Sequence, residues 1–168
     1  MKLLILARHA KSEWGDATLA DFDRSLNERG KRDAPRMARY LQKSGIIPQR
    51  IVSSPAKRAR KTAKILAEGV GYDVSTISYV SDIYDASTDT LMKVIQDFDN
   101  RIERYMLVGH NPGMTNLANL LIHNSTDAIE HVPTSGIVVL RLDVANWQAI
   151  EAHRASLAGF ITPADVPA

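Results

Sequence analysis

The sequence predicts an α/β fold: a three-layer α/β/α sandwich with a mostly parallel sheet and an antiparallel edge strand or hairpin. Three observations carry this. Leu3-Leu4-Ile5-Leu6-Ala7 is an unbroken apolar run of strand length, as expected of a strand buried on both faces. Short apolar runs at 51–53, 77–80 and 105–108 alternate with stretches of helical periodicity, the pattern of βαβ units. The last two runs, 137–142 and 147–153, are separated only by Asp143 to Asn146, which suits a hairpin at one edge.

Taken in order, the helices carry their own signals. Glu28 to about Lys43 is periodic but contains Pro35, which predicts a kink or a split. Pro55 suits the first turn of a helix running to about Glu68, with Gly69 and Gly71 available to end it. Thr88 is placed to cap a helix with Leu91, Val94, Ile95 and Phe98 at helical spacing, and Asn111-Pro112 opens one carrying Leu117, Leu120 and Leu121. No repeat or linker interrupts the chain, so residues 1–160 are read as a single domain and 161–168 as a loose C-terminal tail.

Composition narrows the function classes. The 168 residues suffice for one core. The 21 basic and 19 acidic residues give a net charge of +2, with no run of five like charges, so electrostatics give no support to a nucleic-acid or membrane-surface partner. The basic residues are uneven, however. Arg24, Arg29, Lys31, Arg32, Arg36, Arg39, Lys57, Arg58, Arg60, Lys61 and Lys64 all fall in the first 64 positions, which suits an anionic ligand on that half. The absence of cysteine excludes disulfides, thiolate metal sites and cysteine nucleophiles. The N-terminal apolar run is too short to span a bilayer and lacks the layout of a secretory signal, so a cytoplasmic location is expected.

The chemistry concentrates at strand ends. Arg8-His9-Ala10 follows the first strand directly, and His110 in Val108-Gly109-His110-Asn111-Pro112-Gly113 follows a later one. The carboxyl ends of parallel strands converge on one edge, so both histidines can share a pocket there. Ser53-Ser54-Pro55-x-x-Arg58 adds a guanidinium one turn into a helix. Guanidinium groups are permanent cations whose donors match phosphoryl oxygens, and the helix starts at Pro55 and Pro112 add free backbone N–H groups. A neutral imidazole is a competent nucleophile when its second nitrogen is held by an acceptor. Either histidine alone would suit a structural role, satisfied by a backbone carbonyl. Together these residues read as a phosphate site with a histidine nucleophile, expected to take inorganic phosphate or sulfate and needing no metal or cofactor.

With these segments in view, the sequence resembles the histidine phosphatase superfamily, often called phosphoglycerate-mutase-like, and within it the SixA-type phosphohistidine phosphatases. Leu6-Ala7-Arg8-His9-Ala10-Lys11-Ser12 is similar to the signature segment, followed by Asp23-Arg24-x-Leu26-x-x-Arg29-Gly30. Ser54-Pro55-x-x-Arg58-Ala59-x-x-Thr62, Tyr84-Asp85-Ala86-Ser87, the segment around His110, and Pro133-Thr134-Ser135-Gly136 resemble the later blocks. The resemblance implies that His9 attacks phosphorus while Arg8, Arg58 and His110 hold the phosphoryl oxygens. It also implies a proton-donating carboxylate from the loop of Asp82 and Asp85, of which Asp85 is favoured, although the glutamate pattern of the mutase branch is missing here. Asn111, Ser12 and Arg24 are expected to add substrate contacts, Arg24 and Arg29 equally suiting ion pairs. Trp14 reads as a surface ring or a lid, and His123, His131 and His153 as packing or surface residues.

The short chain has no long insertion to wall off a sugar phosphate, which favours phosphohistidine on a protein as substrate. The alternatives are a phosphatase or mutase acting on small phosphate esters, a magnesium-dependent enzyme using Asp21-Phe22-Asp23 or Asp97-Phe98-Asp99, and a noncatalytic phosphate-binding module.

Overall fold

The computed structural model describes all 168 residues. Strands β1 (Lys2–Arg8), β2 (Arg50–Ser53), β3 (Ser78–Tyr79), β4 (Arg104–Gly109), β5 (Ile137–Leu142) and β6 (Ala155–Ile161) form one sheet in the order β3-β2-β4-β1-β5-β6. The four strands on the β3 side run parallel, β5 is antiparallel to β1, and β6 is antiparallel to β5. Helices α1 (Glu28–Ser44) and α2 (Lys57–Val70) cover one face, and α3 (Thr88–Gln96) and α4 (Gly113–Leu121) cover the other.

Alternation along β1 builds both halves of the core, since successive side chains of a strand point to opposite faces. Leu4 and Leu6 pack with Leu91 and Ile95 of α3 and Leu117 and Leu121 of α4. Ile5 and Ala7 pack with Met37 and Leu41 of α1 and Ala63 and Leu66 of α2. The expected three layers with an antiparallel edge are therefore present.

Four local expectations differ. Helix α1 runs unbroken through Pro35: Asn27 caps its start by accepting from Gly30 N, Gly45 ends it in the left-handed conformation, and its face carrying Met37, Ala38 and Leu41 is buried. Packing of that face holds the helix despite the backbone hydrogen bond that proline removes. The cap of α3 is Ser87, whose side chain accepts from Thr90 N, with Thr88 the first helical residue. The run 147–153 is not a strand. Trp147 begins a short 3₁₀ turn, is wholly buried, donates its indole N–H to Ile102 O at 2.8 Å and stands edge-on to Phe98 and Tyr105, so its apolarity plugs the end of the core. The residues after 160 are not loose. Ile161 belongs to β6, Val166 is buried, and Arg36 donates to the carbonyls of Pro163, Val166 and Pro167 at 2.9 to 3.1 Å.

One close approach bears on the site. Asn27 N donates to Lys11 O, and a Cβ on Gly30 would overlap that same carbonyl. Gly30→Ala should therefore lower stability by about 1–3 kcal/mol through overpacking, read as a lower urea midpoint. A midpoint equal to the parent's would mean that the loop after His9 yields without strain.

Candidate active site

The carboxyl ends of β1, β2 and β4 lie side by side: His9 N donates to Gly109 O and Ser54 N to Val108 O, each at 3.0 Å. At this edge a cavity of about 440 Å³ opens, and all eight residues expected at the site line it: Arg8, His9, Ser12, Arg24, Arg58, Asp85, His110 and Asn111. Residues up to 103 positions apart thus meet because parallel strands deliver their ends to one place.

His9 is nearly buried at the cavity floor. Its Nδ1 lies 2.8 Å from Ala10 O. A carbonyl only accepts, so Nδ1 carries the hydrogen and Nε2 keeps its lone pair. Arg58 Nε donates toward that lone pair at 3.4 Å. Burial lowers the His9 pKa to about 3, with His110, Arg58 and Arg8 adding to the effect against the Ala10 bond. The ring is therefore neutral at physiological pH. Thr62 fixes the segment: its hydroxyl accepts from Ala10 N at 2.9 Å and donates to Arg58 O at 2.8 Å.

The His110 ring centroid stands 5.2 Å from that of His9. Its Nε2 lies 2.7 Å from Ser54 Oγ, and its Nδ1 is buried without a protein partner. Burial, then the Arg58 charge, lowers its pKa to about 4. Arg8 donates through Nη1 to Val132 O at 3.0 Å, and its Nε is likewise buried and unpartnered. Buried polar atoms without partners beside a cleft are groups ready for a ligand.

Arg58 is the second residue of α2 and is 6% exposed. It donates through Nη1 to Asp21 O at 2.7 Å and through Nη2 to Asp21 Oδ2 at 3.0 Å. The same carboxylate receives Tyr84 OH at 2.6 Å and pairs with Arg24 at 3.0 Å. The Tyr84 bond, followed by the arginines, lowers the Asp21 pKa to about 2 against the opposing effect of burial. Asp21 thus fixes the orientation of both guanidinium groups.

Three expected contact residues turn out to be already engaged. Ser12 Oγ accepts from Arg24 Nη1 at 2.9 Å. Asn111 Nδ2 donates to Val132 O while its Oδ1 accepts from Thr115 N and Oγ1, so its amide holds backbone in place. Arg24 forms the ion pair and also lies 3.7 Å over the exposed Trp14 ring. Asp85 stands at the exposed rim with φ 54°, its carboxylate engaged by no side chain. Asp82 lies apart, in a separate groove with Asp97 and Asp99. The acid pair at 97–99 is thereby removed from the cavity, and Asp21 is committed to its arginines. Sequence reasoning offered Asp21 only as an acid of a magnesium-dependent alternative, and gave no role to Tyr84, Ser54 or Thr62. The last three lie inside the quoted segments, whereas Asp21 sits in a polar stretch without periodicity. No three His, Asp or Glu side chains are grouped as a metal would require.

Residues 4–84 match the histidine phosphatase superfamily (branch 1). A crystal structure from Agrobacterium tumefaciens, of a protein assigned as the phosphohistidine phosphatase SixA, matches with a TM-score of 0.82 and 31% identity over 96% of this chain and 98% of that one. The chain belongs to the histidine phosphatase superfamily. An uncharacterized protein of Mycobacterium tuberculosis is 36% identical over 163 residues, 93% of this chain and 99% of its own length. An uncharacterized chloroplastic protein of Arabidopsis thaliana is 36% identical over 126 residues, and the match spans only 58% of that longer protein. The structure of SixA complexed with tungstate shares the fold, with a TM-score of 0.81 at 18% identity. No helix of this histidine phosphatase is long and apolar enough to cross a membrane.

The depressed histidine values set a pH dependence. The unfolded chain protonates both imidazoles near pH 6.5, whereas the folded chain does so only near 3 and 4. Their contribution to stability is therefore complete above pH 6.5 and declines as the pH falls toward 3. The urea midpoint should drop between pH 7 and pH 4.5, and His9→Gln should flatten that decline. An equal slope in the variant would remove His9 from the account.

Proposed function

We propose that this phosphatase hydrolyses phosphohistidine carried on protein, through a covalent intermediate on His9. The observation that supports it is the pairing of Nδ1 with Ala10 O, which leaves a neutral Nε2 lone pair on the floor of a cationic cavity. In the first step Nε2 forms a bond to phosphorus as the substrate's P–N bond breaks, and the departing imidazole takes the electron pair and a proton from solvent. In the second, water attacks phosphorus, the P–Nε2 bond breaks and inorganic phosphate leaves. Arg8, Arg58 and His110 receive the charge that spreads over the three phosphoryl oxygens, where most of the rate gain in phosphoryl transfer arises. Ala10 O steadies the positive charge that the ring acquires on phosphorylation.

Access supports a large substrate. Trp14 is 74% exposed, Asp85 stands free at the rim, and the polar stretch from Glu13 to Asp23 lies on the surface without closing the mouth. The same Asp85 carboxylate favours a second reading, a phosphatase for small phosphate esters, because an alkoxide leaving group needs a proton donor there. Comparing kcat/KM on a phosphohistidine peptide and on phosphoserine, for the parent and Asp85→Asn, separates the two. Phosphohistidine is expected to be the better substrate. Loss of the acid should slow phosphoserine by about 10²-fold and phosphohistidine by only a few-fold. A parent that prefers phosphoserine would replace the first reading with the second.

A further inference from the structure

The first eight residues of α2 carry five cations: Lys57, Arg58, Arg60, Lys61 and Lys64. Only Arg58 lines the catalytic cavity. The other four, with Lys31 of α1, line a separate groove of about 560 Å³ over Leu26 and Ile65, and no acidic side chain lines it. Among these five, Lys31 alone has an ion-pair partner, the exposed Glu28 at 3.4 Å.

Stability works against this arrangement. The start of a helix bears partial positive charge and favours acids, yet α2 has no acidic residue in its first turn and no side-chain cap. Lys57 and Lys61, and Arg60 and Lys64, are like-charged neighbours four residues apart, a destabilising spacing. Repulsion that no acidic side chain lining the groove relieves marks a surface shaped for something outside it.

We infer that this groove docks an acidic helix of the protein that carries the phosphohistidine, an inference that rests on the substrate reading above. At 1.5 Å per residue, Lys57 to Lys64 spans about 10 Å. The cations recur every three or four residues, so they match carboxylates repeated at i, i+4 and i+7 on a facing helix. The groove starts one residue from Arg58, so a helix seated in it lies beside the cavity. The near-neutral chain and the lack of any aromatic side chain lining the groove favour protein over single-stranded nucleic acid.

The test uses the full chain and a Lys57→Gln/Lys61→Gln/Lys64→Gln variant. Two helical peptides serve as probes, each with one histidine, one bearing Glu and the other Gln at i, i+4 and i+7. Fluorescence anisotropy of the unphosphorylated peptides should show the Glu form bound about tenfold more tightly at low salt, an advantage that fades as salt screens it and vanishes in the variant. After phosphorylation of the histidines with phosphoramidate, kcat/KM should show the same preference and the same loss, while turnover of p-nitrophenyl phosphate stays unchanged. The variant should melt no lower than the parent. Equal binding of the two peptides, an advantage that survives in the variant, a lower melting temperature, or tighter binding of a single-stranded oligonucleotide than of the Glu peptide would each overturn the inference. Glu-selective binding without hydrolysis of either phosphopeptide would leave the docking surface standing and remove the phosphohistidine reading instead.

Discussion

His9→Ala is expected to lose roughly four or more orders of magnitude in turnover, as removal of a nucleophile does when the rest of a site survives. The rest should survive. Backbone groups, not the ring, join residue 9 to Gly109 and Ser135, and Thr62 pins Ala10 independently of the imidazole. Arg8, Arg58 and His110 would stay in place, so affinity for inorganic phosphate should change far less than rate. Rapid acid-free quenching of the parent with a ³²P-labelled substrate should trap label that survives base and is lost in acid, as a P–N bond requires, and the variant should trap none. Label on Ser54 or Asp21 would move the nucleophile elsewhere.

Arg58→Ala ranks second. Its Nε lies 3.4 Å from the attacking nitrogen, within reach of the oxygens of a phosphoryl group bonded there, where the negative charge spreads. Loss of one such preorganised donor costs about 10²–10³-fold in kcat. Asp21 would keep Arg24 and Tyr84, so the surrounding loop should hold. Lysine should not rescue, because a single ammonium cannot hold Asp21 through two nitrogens and still present a third toward His9. Steady-state kinetics on p-nitrophenyl phosphate decide it: an unchanged kcat with a raised KM would limit Arg58 to ground-state binding.

Much of the site was legible in the sequence because burial on both faces leaves β1 and β4 with apolar runs, Leu3 to Ala7 and Tyr105 to Val108, that no charged residue interrupts, and each run is followed two residues later by a histidine. Parallel topology does the remaining work of bringing His9 and His110 together. Other features leave no local trace. The apolarity of Trp147 to Ile150 reads alike for a strand and for a core plug, and only the Ile102 carbonyl waiting for its indole distinguishes them. Asp21 takes its meaning from Tyr84, 63 residues later, and Arg36 from carbonyls at the far end of the chain. Asn111 has the right chemistry for a substrate contact, but its amide is used up by Val132 and Thr115.

Thr62 links the two halves of the reaction centre through a single oxygen atom. The backbones that carry attacker and cation are thus clasped to each other by two hydrogen bonds through one hydroxyl. Warming should leave the chemistry of the surviving native molecules intact until that clasp opens, so that inactivation on heating arrives abruptly, together with unfolding of the domain.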